Sequence, residues 1–192
     1  MAIRRKLIKI QLGSVDELIA VRKLLHGGGR GAPPIIRSGQ RQGEAINKSC
    51  IVMLGAVLQA YVERVFRRLA LQVFPHLNNP GSMDIFQKTY RRWGNPSAPN
   101  IVALFNKLAI DDVLENLSWR NCKNDTVRKR LIELNEMRNS IAHENKVKVA
   151  GQETNLPLTK VENYRNFAKA FAGYFEANAM KHLPKRAIAR KK

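Results

Sequence analysis

The chain has 192 residues, 44% of them hydrophobic, which is enough to bury the core of one domain. Its 34 Lys and Arg residues against 15 Asp and Glu residues leave a formal net charge of +19, so we expect a polyanionic partner, most simply nucleic acid. The two cysteines, Cys50 and Cys122, have no metal-ligand spacing, and no uncharged apolar run is long enough to span a membrane. We therefore expect a cytoplasmic protein without a metal, cofactor or membrane association. An acidic protein partner, an anionic membrane surface and an inert basic surface remain as alternatives to nucleic acid.

Residues 1–40 are interpreted as a basic N-terminal extension. Ser14 and Glu17 form a capping-box pattern, which predicts a short helix over residues 14–25. Glycines at 27–29 and prolines at 33 and 34 follow, and they predict a flexible connector. The glycines have neither a preceding strand nor a following Gly-Lys-Ser/Thr, so they do not form a P-loop.

Residues 43–74 predict the central buried helix, because they contain no proline and are apolar almost all round in the middle. The one clear polar line on this helix is Gln59, Glu63 and Arg67, spaced by fours. Glu63 has two interpretations. It pairs with Arg67 along the same helix, or it faces a cation, Arg138, on another helix.

The middle of the chain predicts shorter helices. Ser82 is expected to cap a helix over residues 83–93, and residues 94–99 form a break rich in Gly and Pro. A helix over residues 100–109 follows, and Asp111 and Asp112 begin a further turn or two to about residue 119.

A strong helical pattern over residues 126–143 contains the most informative stretch. Its apolar positions are Val127, Leu131, Leu134 and Ile141, and Arg138 lies where the period requires one more core side chain. Burial of an unpaired guanidinium is expensive, so Arg138 either has an acidic partner or opens onto a site for an anion. Arg128, Lys129 and Arg130 lie on the outer side and are candidates for substrate binding.

The spacing of Arg138 and His143 limits how they can act together. A histidine titrates near neutral pH, as an acid–base catalyst must. Five residues rotate a regular helix through about 140°, so these two side chains do not share a face, whereas Asn139 and His143 do. A site that uses both therefore needs a helix that ends or distorts near Ile141, or a second subunit.

The remaining chain predicts a loop over residues 145–157 with an extended piece at 146–149, a last helix over 159–182 and a basic, disordered tail over 184–192. No stretch alternates convincingly as a strand. We predict an all-α helical bundle over residues 41–183, between the extension of residues 1–40 and the tail.

The run Arg138-Asn139-Ser-Ile-Ala-His143 resembles the R-x4-6-H signature of HEPN-domain ribonucleases, in which a polar residue commonly follows the arginine. Residues 56–63 and 99–119 are similar to the early long helix and the middle section of the RiboL-PSP-HEPN branch. The resemblance covers roughly residues 43–182. It implies a four-helix core with additional shorter helices, and a two-fold homodimer in which two motifs meet in one composite active site.

The resemblance also implies an activity, which is metal-independent endoribonuclease chemistry that leaves a 2′,3′-cyclic phosphate and a 5′-OH. His143 would transfer protons, Arg138 would bind the phosphoryl oxygens, and Asn139 would hydrogen-bond His143. Glu63 would face Arg138 and orient its guanidinium without touching the substrate. Proteins of this family are often toxins or host-defence ribonucleases, so an acidic inhibitor or antitoxin is an expected partner besides RNA.

Two interpretations compete with the enzyme. One is a non-catalytic HEPN-like scaffold. The other is a basic helical nucleic-acid-binding protein in which Arg138 forms a buried salt bridge, for example with Glu63, and His143 is a helix-end histidine. Metal-dependent nuclease chemistry is disfavoured, because Asp111, Asp112 and Glu115 form the only dense acidic group and read as a helix N-terminus.

Overall fold

A computed structural model describes residues 7–26, 33–36, 41–90 and 93–184 of the protein. The predicted glycine-rich connector lies only partly within these ranges, and the predicted basic tail lies outside them apart from its first residue. The all-α prediction is confirmed by the described residues, which form these helices: α1 (Gly13–His26), α2 (Glu44–Val73), α3 (Pro80–Tyr90), α4 (Ala98–Asn106), α5 (Asn124–Glu144) and α6 (Leu158–Lys181), with a 3₁₀ helix at Pro75–Asn78.

Helix α2 is the centre of the bundle. It packs against α1, α5 and α6, and α6 also contacts α1 and α5. Because neighbours surround α2, its apolar residues are not confined to one stripe, and Leu54, Leu58, Tyr61 and Val65 are all fully buried. By length and composition alone α2 is apolar enough to cross a bilayer, but half of its most apolar window is buried within the fold. We therefore assign it to the core.

Helix α1 is one of the four helices of this bundle, although its sequence was interpreted as an extension. Val15 and Ile19 of α1, with Leu12 just before it, are buried in the same core as α2 and α6. A bidentate contact joins α1 to α6, in which Arg165 donates from Nε and Nη2 to the two carboxylate oxygens of Asp16 at 2.7 and 2.8 Å. The division of the chain at residue 40 stays a prediction, but the buried face of α1 belongs to the shared core.

The middle section differs from the prediction in its details. Asn79, rather than Ser82, caps α3, because Asn79 Oδ1 accepts a 2.9 Å hydrogen bond from the Gly81 N–H and Pro80 takes the first helical position. Residues 111–119 form turns instead of a helix. Asp112 satisfies the Leu114 N–H through its side chain at 3.0 Å.

A small hairpin connects α5 to α6 within the predicted loop, and its first strand lies in the extended piece predicted over residues 146–149. Strand β1 (Lys148–Val149) pairs antiparallel with β2 (Gln152–Glu153), with Lys148 opposite Glu153 and Val149 opposite Gln152. The two turn residues, Ala150 and Gly151, both have positive φ, which matches the right-handed twist of a two-residue hairpin. The second strand was not predicted, because two residues carry too little alternation to be recognised in a sequence.

Candidate functional site

The antiparallel packing of α2 against α5 positions Arg138. Near one end of the pair, Lys48 Nζ donates to the backbone oxygen of Asn145 at 2.8 Å. Seven residues further along α2, Gly55 lies directly against Arg138 of α5, so that a Cβ on Gly55 would be 3.2 Å from Cγ of Arg138. The missing side chain at Gly55 lets the stem of Arg138 lie close on α2.

Arg138 does not occupy the core position that the sequence assigned to it. The buried line of α5 runs through Val127, Leu131, Leu134, Met137 and Ser140. Met137 is fully buried, whereas Arg138 is only partly buried, at the edge of the α2–α5 interface. A helix turns about 100° per residue, so the neighbouring position takes the core and Arg138 reaches the surface beside it.

The Arg138 guanidinium has an amide partner and no acidic one. Its Nη1 donates to Oδ1 of Asn139 at 3.0 Å. The described residues include all 15 Asp and Glu residues of the chain, and none of these forms an ion pair with Arg138. Of the two possibilities for Arg138, an acidic partner or an open anion site, the described contacts favour the open site.

Glu63 does not face Arg138, and the prediction that it supports Arg138 directly is wrong. Its Oε1 accepts hydrogen bonds from Trp93 Nε1 at 2.8 Å and from Gln59 Nε2 at 3.3 Å. The reason is the register of the helices: Glu63 is eight residues beyond Gly55 and thus about 12 Å further along α2. The alternative pairing of Glu63 with Arg67 is also not among the ion pairs of the described residues.

Asn95 joins the site, and the sequence interpretation missed it. Its Nδ2 donates to Oδ1 of Asn139 at 2.9 Å, so this oxygen accepts from both Asn95 and Arg138. Asn95 lies in the connection between α3 and α4, where Asn100 Nδ2 donates to the Asn95 backbone oxygen at 2.9 Å. Trp93, two residues earlier, ties the same connection to Glu63. The only sequence signals were Asn95 in a Gly- and Pro-rich break and an isolated Gly55 in a long helix.

His143 lies on a different face of α5 from Arg138. The helix continues regularly to Glu144 and ends at Asn145, a residue with φ 53° whose N–H bonds to the Ile141 oxygen at 3.1 Å. Of the two conditions under which Arg138 and His143 could act together, a helix that ends or distorts near Ile141 is therefore not met, and a second subunit stays a prediction. His143 is exposed, and the described residues contain no hydrogen bond between it and Asn139. Within one chain, Arg138 and Asn139 are brought together and His143 stays apart.

The three basic residues near the start of α5 have separate environments. Arg128 is committed to structure, since Nη2 contacts Asp112 at 2.5 Å and Nε donates to Asn124 at 2.9 Å. Arg130 lies with Cζ 5.6 Å from the ring centre of Phe167. Lys129 is 78% exposed, with only a long 3.9 Å contact to Glu133. Of the three candidates for substrate binding, Lys129 is therefore the one most available to a ligand.

The family model for RiboL-PSP-HEPN matches residues 18–177 of this chain, and the chain belongs to that family. The family is associated with ribonucleases and other RNA-related roles. The comparisons with curated proteins and with solved structures found no match. Among residues 7–26, 33–36, 41–90 and 93–184, no group of three or more His, Cys, Asp or Glu side chains is placed to hold a metal ion.

Proposed function

We propose that this protein is a metal-independent endoribonuclease in which Arg138, Asn139 and His143 act on RNA. The observation that carries the proposal is a partly buried guanidinium that has no carboxylate partner in a protein of a ribonuclease-associated family. A guanidinium of this kind is a ready donor for a phosphodiester. The net charge of +19 suits a polyanionic substrate.

In the proposed reaction a histidine imidazole accepts the proton of a ribose 2′-OH, and the oxygen attacks the adjacent phosphorus. The bond from O2′ to phosphorus forms, the bond from phosphorus to O5′ breaks, and O5′ takes up a proton. The products carry a 2′,3′-cyclic phosphate and a 5′-OH. Arg138 stabilises the charge that develops on the non-bridging oxygens, because its donors are fixed before the reaction. Asn139 holds Arg138 rather than His143, since its Oδ1 accepts from Nη1.

The separation of Arg138 and His143 on α5 makes a two-fold dimer part of the proposal. A regular helix points the two side chains about 140° apart, so one chain does not present both to the same phosphate. In a homodimer, Arg138 of one subunit would meet His143 of the other in one cleft. Each subunit would thus contribute Arg138 to one composite site and His143 to the other.

The experiment is cleavage of an end-labelled structured RNA, with EDTA present, by the wild type and three variants. We expect cutting by the wild type, and its loss by at least about a hundredfold in Arg138→Ala and His143→Ala. His76→Ala, an exposed histidine on the 3₁₀ helix, is the matched control and should retain full activity. Mass spectrometry of the products should find 2′,3′-cyclic phosphate ends. Equal cutting by His143→Ala, with the fold intact by circular dichroism, would overturn the proposal.

The same experiment separates the enzyme from a non-catalytic RNA-binding or scaffold protein. That alternative explained Arg138 by a buried salt bridge, which the described contacts do not contain. RNA binding without cutting by the wild type would favour the binding protein. A role as a cytoplasmic toxin or defence ribonuclease, held in check by an acidic inhibitor, is the biology that this activity and charge fit best.

A further inference from the structure

A second basic site lies near the C-terminal end of α5. A cavity of about 970 Å³, open to solvent on one side, is lined by Arg22 of α1, the first turns of α2 and the segments before α2 and between α5 and α6. Its walls contain four cations, Arg22, Arg41, Lys48 and Lys146, and two anions, Glu44 and Glu153. The cavity is therefore cationic in net charge.

Three of these cations already have partners. Lys48 Nζ is 2.9 Å from Glu44 Oε1 and donates to the Asn145 backbone oxygen at 2.8 Å. Lys146 pairs with Glu153. Arg41 Nη1 donates to the Pro33 backbone oxygen at 3.0 Å.

Arg22 is the exception. It is only 5% exposed, yet within the described part of the chain it has no hydrogen bond and no ion pair, and its Nε is completely buried. Removing a guanidinium from water without a partner costs several kcal/mol in general. Because Arg22 bears this cost while it lines a cavity, an anion bound in the cavity would provide the missing partner.

The position of Arg22 depends on Gly43. Gly43 has φ +77°, and a Cβ there would lie 2.5 Å from Nε of Arg22. Gly43 is also the N-cap of α2 and provides no side-chain cap. The positive end of the α2 dipole therefore adds to the charge of Arg22 in attracting an anion. One further polar atom beside the cavity lacks a partner: Oδ1 of Asn47, an acceptor that suits a hydroxyl group.

We propose that this cavity binds the phosphate of a nucleotide, with Arg22 as its buried donor and Asn47 as an acceptor for a ribose hydroxyl. Asn145 and Lys146, which line the cavity, follow His143 by two and three residues, so an RNA strand cut at His143 passes close to it. The assignment to RNA rests on the proposed ribonuclease function. The assignment to phosphate does not, because it rests on Arg22 alone.

The first test measures thermal unfolding in inorganic phosphate and in sodium chloride of equal ionic strength. We expect phosphate to raise the Tm of the wild type and of Lys23→Gln, and to have no effect on Arg22→Gln. Lys23 is the matched control, since it is the next residue of α1 and 57% exposed, and its loss changes the charge equally. Equal stabilisation of Arg22→Gln, or none of the wild type, would overturn the site.

Arg22→Gln is expected to fold, because it removes an unpaired buried charge rather than a bonded one. A second variant makes the test independent of that expectation. Thr159→Phe places a bulky neutral side chain at an exposed position of the cavity wall. It should also abolish the phosphate effect, and full retention of the effect would contradict the proposal.

The second test identifies the source of the phosphate, in a His143→Ala background so that cleavage plays no part. Affinity for an unmodified RNA, which keeps the ribose hydroxyl proposed to bind Asn47, should fall about tenfold with Arg22→Gln and less than about twofold with Lys23→Gln. If the RNA affinity is unchanged while 5′-AMP binding depends on Arg22, the ligand is a free nucleotide instead. A protein that binds phosphate through Arg22 but never cuts RNA would retain this site and lose only the proposed ribonuclease function.

Discussion

The side-chain amide of Asn95 donates a 2.9 Å hydrogen bond to Oδ1 of Asn139, the same oxygen that accepts from Nη1 of Arg138 at 3.0 Å. The connection between α3 and α4 thus contacts the residue that holds the guanidinium. Trp93, which bonds to Glu63 of α2, attaches this connection to the central helix. Glu63 therefore acts on the site indirectly: it binds Trp93, which holds the connection that contains Asn95, and it does not contact Arg138.

Asn95→Ala is expected to lower kcat for RNA cleavage about tenfold, because Asn139 loses a donor and Arg138 loses a fixed orientation. KM should change little, since Asn95 is proposed to position Arg138 rather than to bind the substrate. Steady-state kinetics with a labelled RNA measures both constants. Asn78→Ala, which removes an amide from an exposed bond to Pro75, is the control and should leave both unchanged. A rise in KM of about tenfold with no fall in kcat would contradict the positioning role.

Two glycine substitutions in helix interiors should differ in how much they stabilise the fold and in whether they affect cleavage. Gly173→Ala places a Cβ where no heavy atom lies within 4 Å, so it should raise the free energy of unfolding by up to about 1 kcal/mol through helix propensity. Gly55→Ala brings the same methyl group to 3.2 Å from Arg138 Cγ. It should gain less stability than Gly173→Ala and should reduce cleavage, because Arg138 must shift. Urea denaturation and the cleavage assay measure the two effects. Full activity in Gly55→Ala would mean that the close packing on α2 does not set the position of Arg138.

A composite site predicts complementation between two inactive variants. Arg138→Ala retains His143, and His143→Ala retains Arg138, so a mixed dimer contains one site with an Arg and a His from different subunits. We expect the mixture, after subunit exchange, to recover a substantial part of the wild-type rate, while each variant alone stays inactive. Mixing either variant with itself at the same total concentration is the control. No recovery in a mixture shown by mass spectrometry to contain mixed dimers would exclude a site shared in this way.

The contact between Asp16 and Arg165 predicts a pH dependence of stability. The hydrogen bond from Arg165 is the largest cause that holds the pKa of Asp16 below its ordinary value of 3.8, and burial opposes it. Because the pKa is lower in the folded state, the contact stabilises the fold above pH 3.8, and this contribution is lost as the pH falls through the folded pKa.

Asp16→Asn should therefore be less stable than the wild type at about pH 6, and the difference should shrink as the pH falls below about 3.8. Urea denaturation across this range measures it. Asp84→Asn, at an exposed position without an ion pair among the described residues, is the control. A difference for Asp16→Asn that is the same at every pH would show that the contact does not act through the carboxylate charge.

The sequence alone identified the helices that carry long apolar patterns, and it identified the family. The pattern over residues 43–74 corresponds to α2 within a residue at each end, and the pattern over 126–143 lies inside α5. Long amphipathic or buried helices contain many turns that repeat the same signal, so their type is specified locally. Short elements such as β2 and the turns at 111–119 contain too few residues for such a signal.

The site depended on contacts between distant parts of the chain. Arg138, Asn139 and His143 were predicted as site residues from their order in the sequence, but the predicted contact of Arg138 with Glu63 was wrong. The register of α2 against α5 sets Gly55 at Arg138 and leaves Glu63 about two turns away, and no local pattern encodes that register.

Composition and helical periodicity determined that this is a basic all-α protein with an unusual arginine near the end of a late helix. Only the tertiary structure placed α1 in the bundle, brought Asn95 to Asn139 and left Arg22 buried without a partner among the described residues. The physical reason is that periodicity records which face of a helix is buried, whereas hydrogen bonds and ion pairs depend on which helix covers that face and at what height along it.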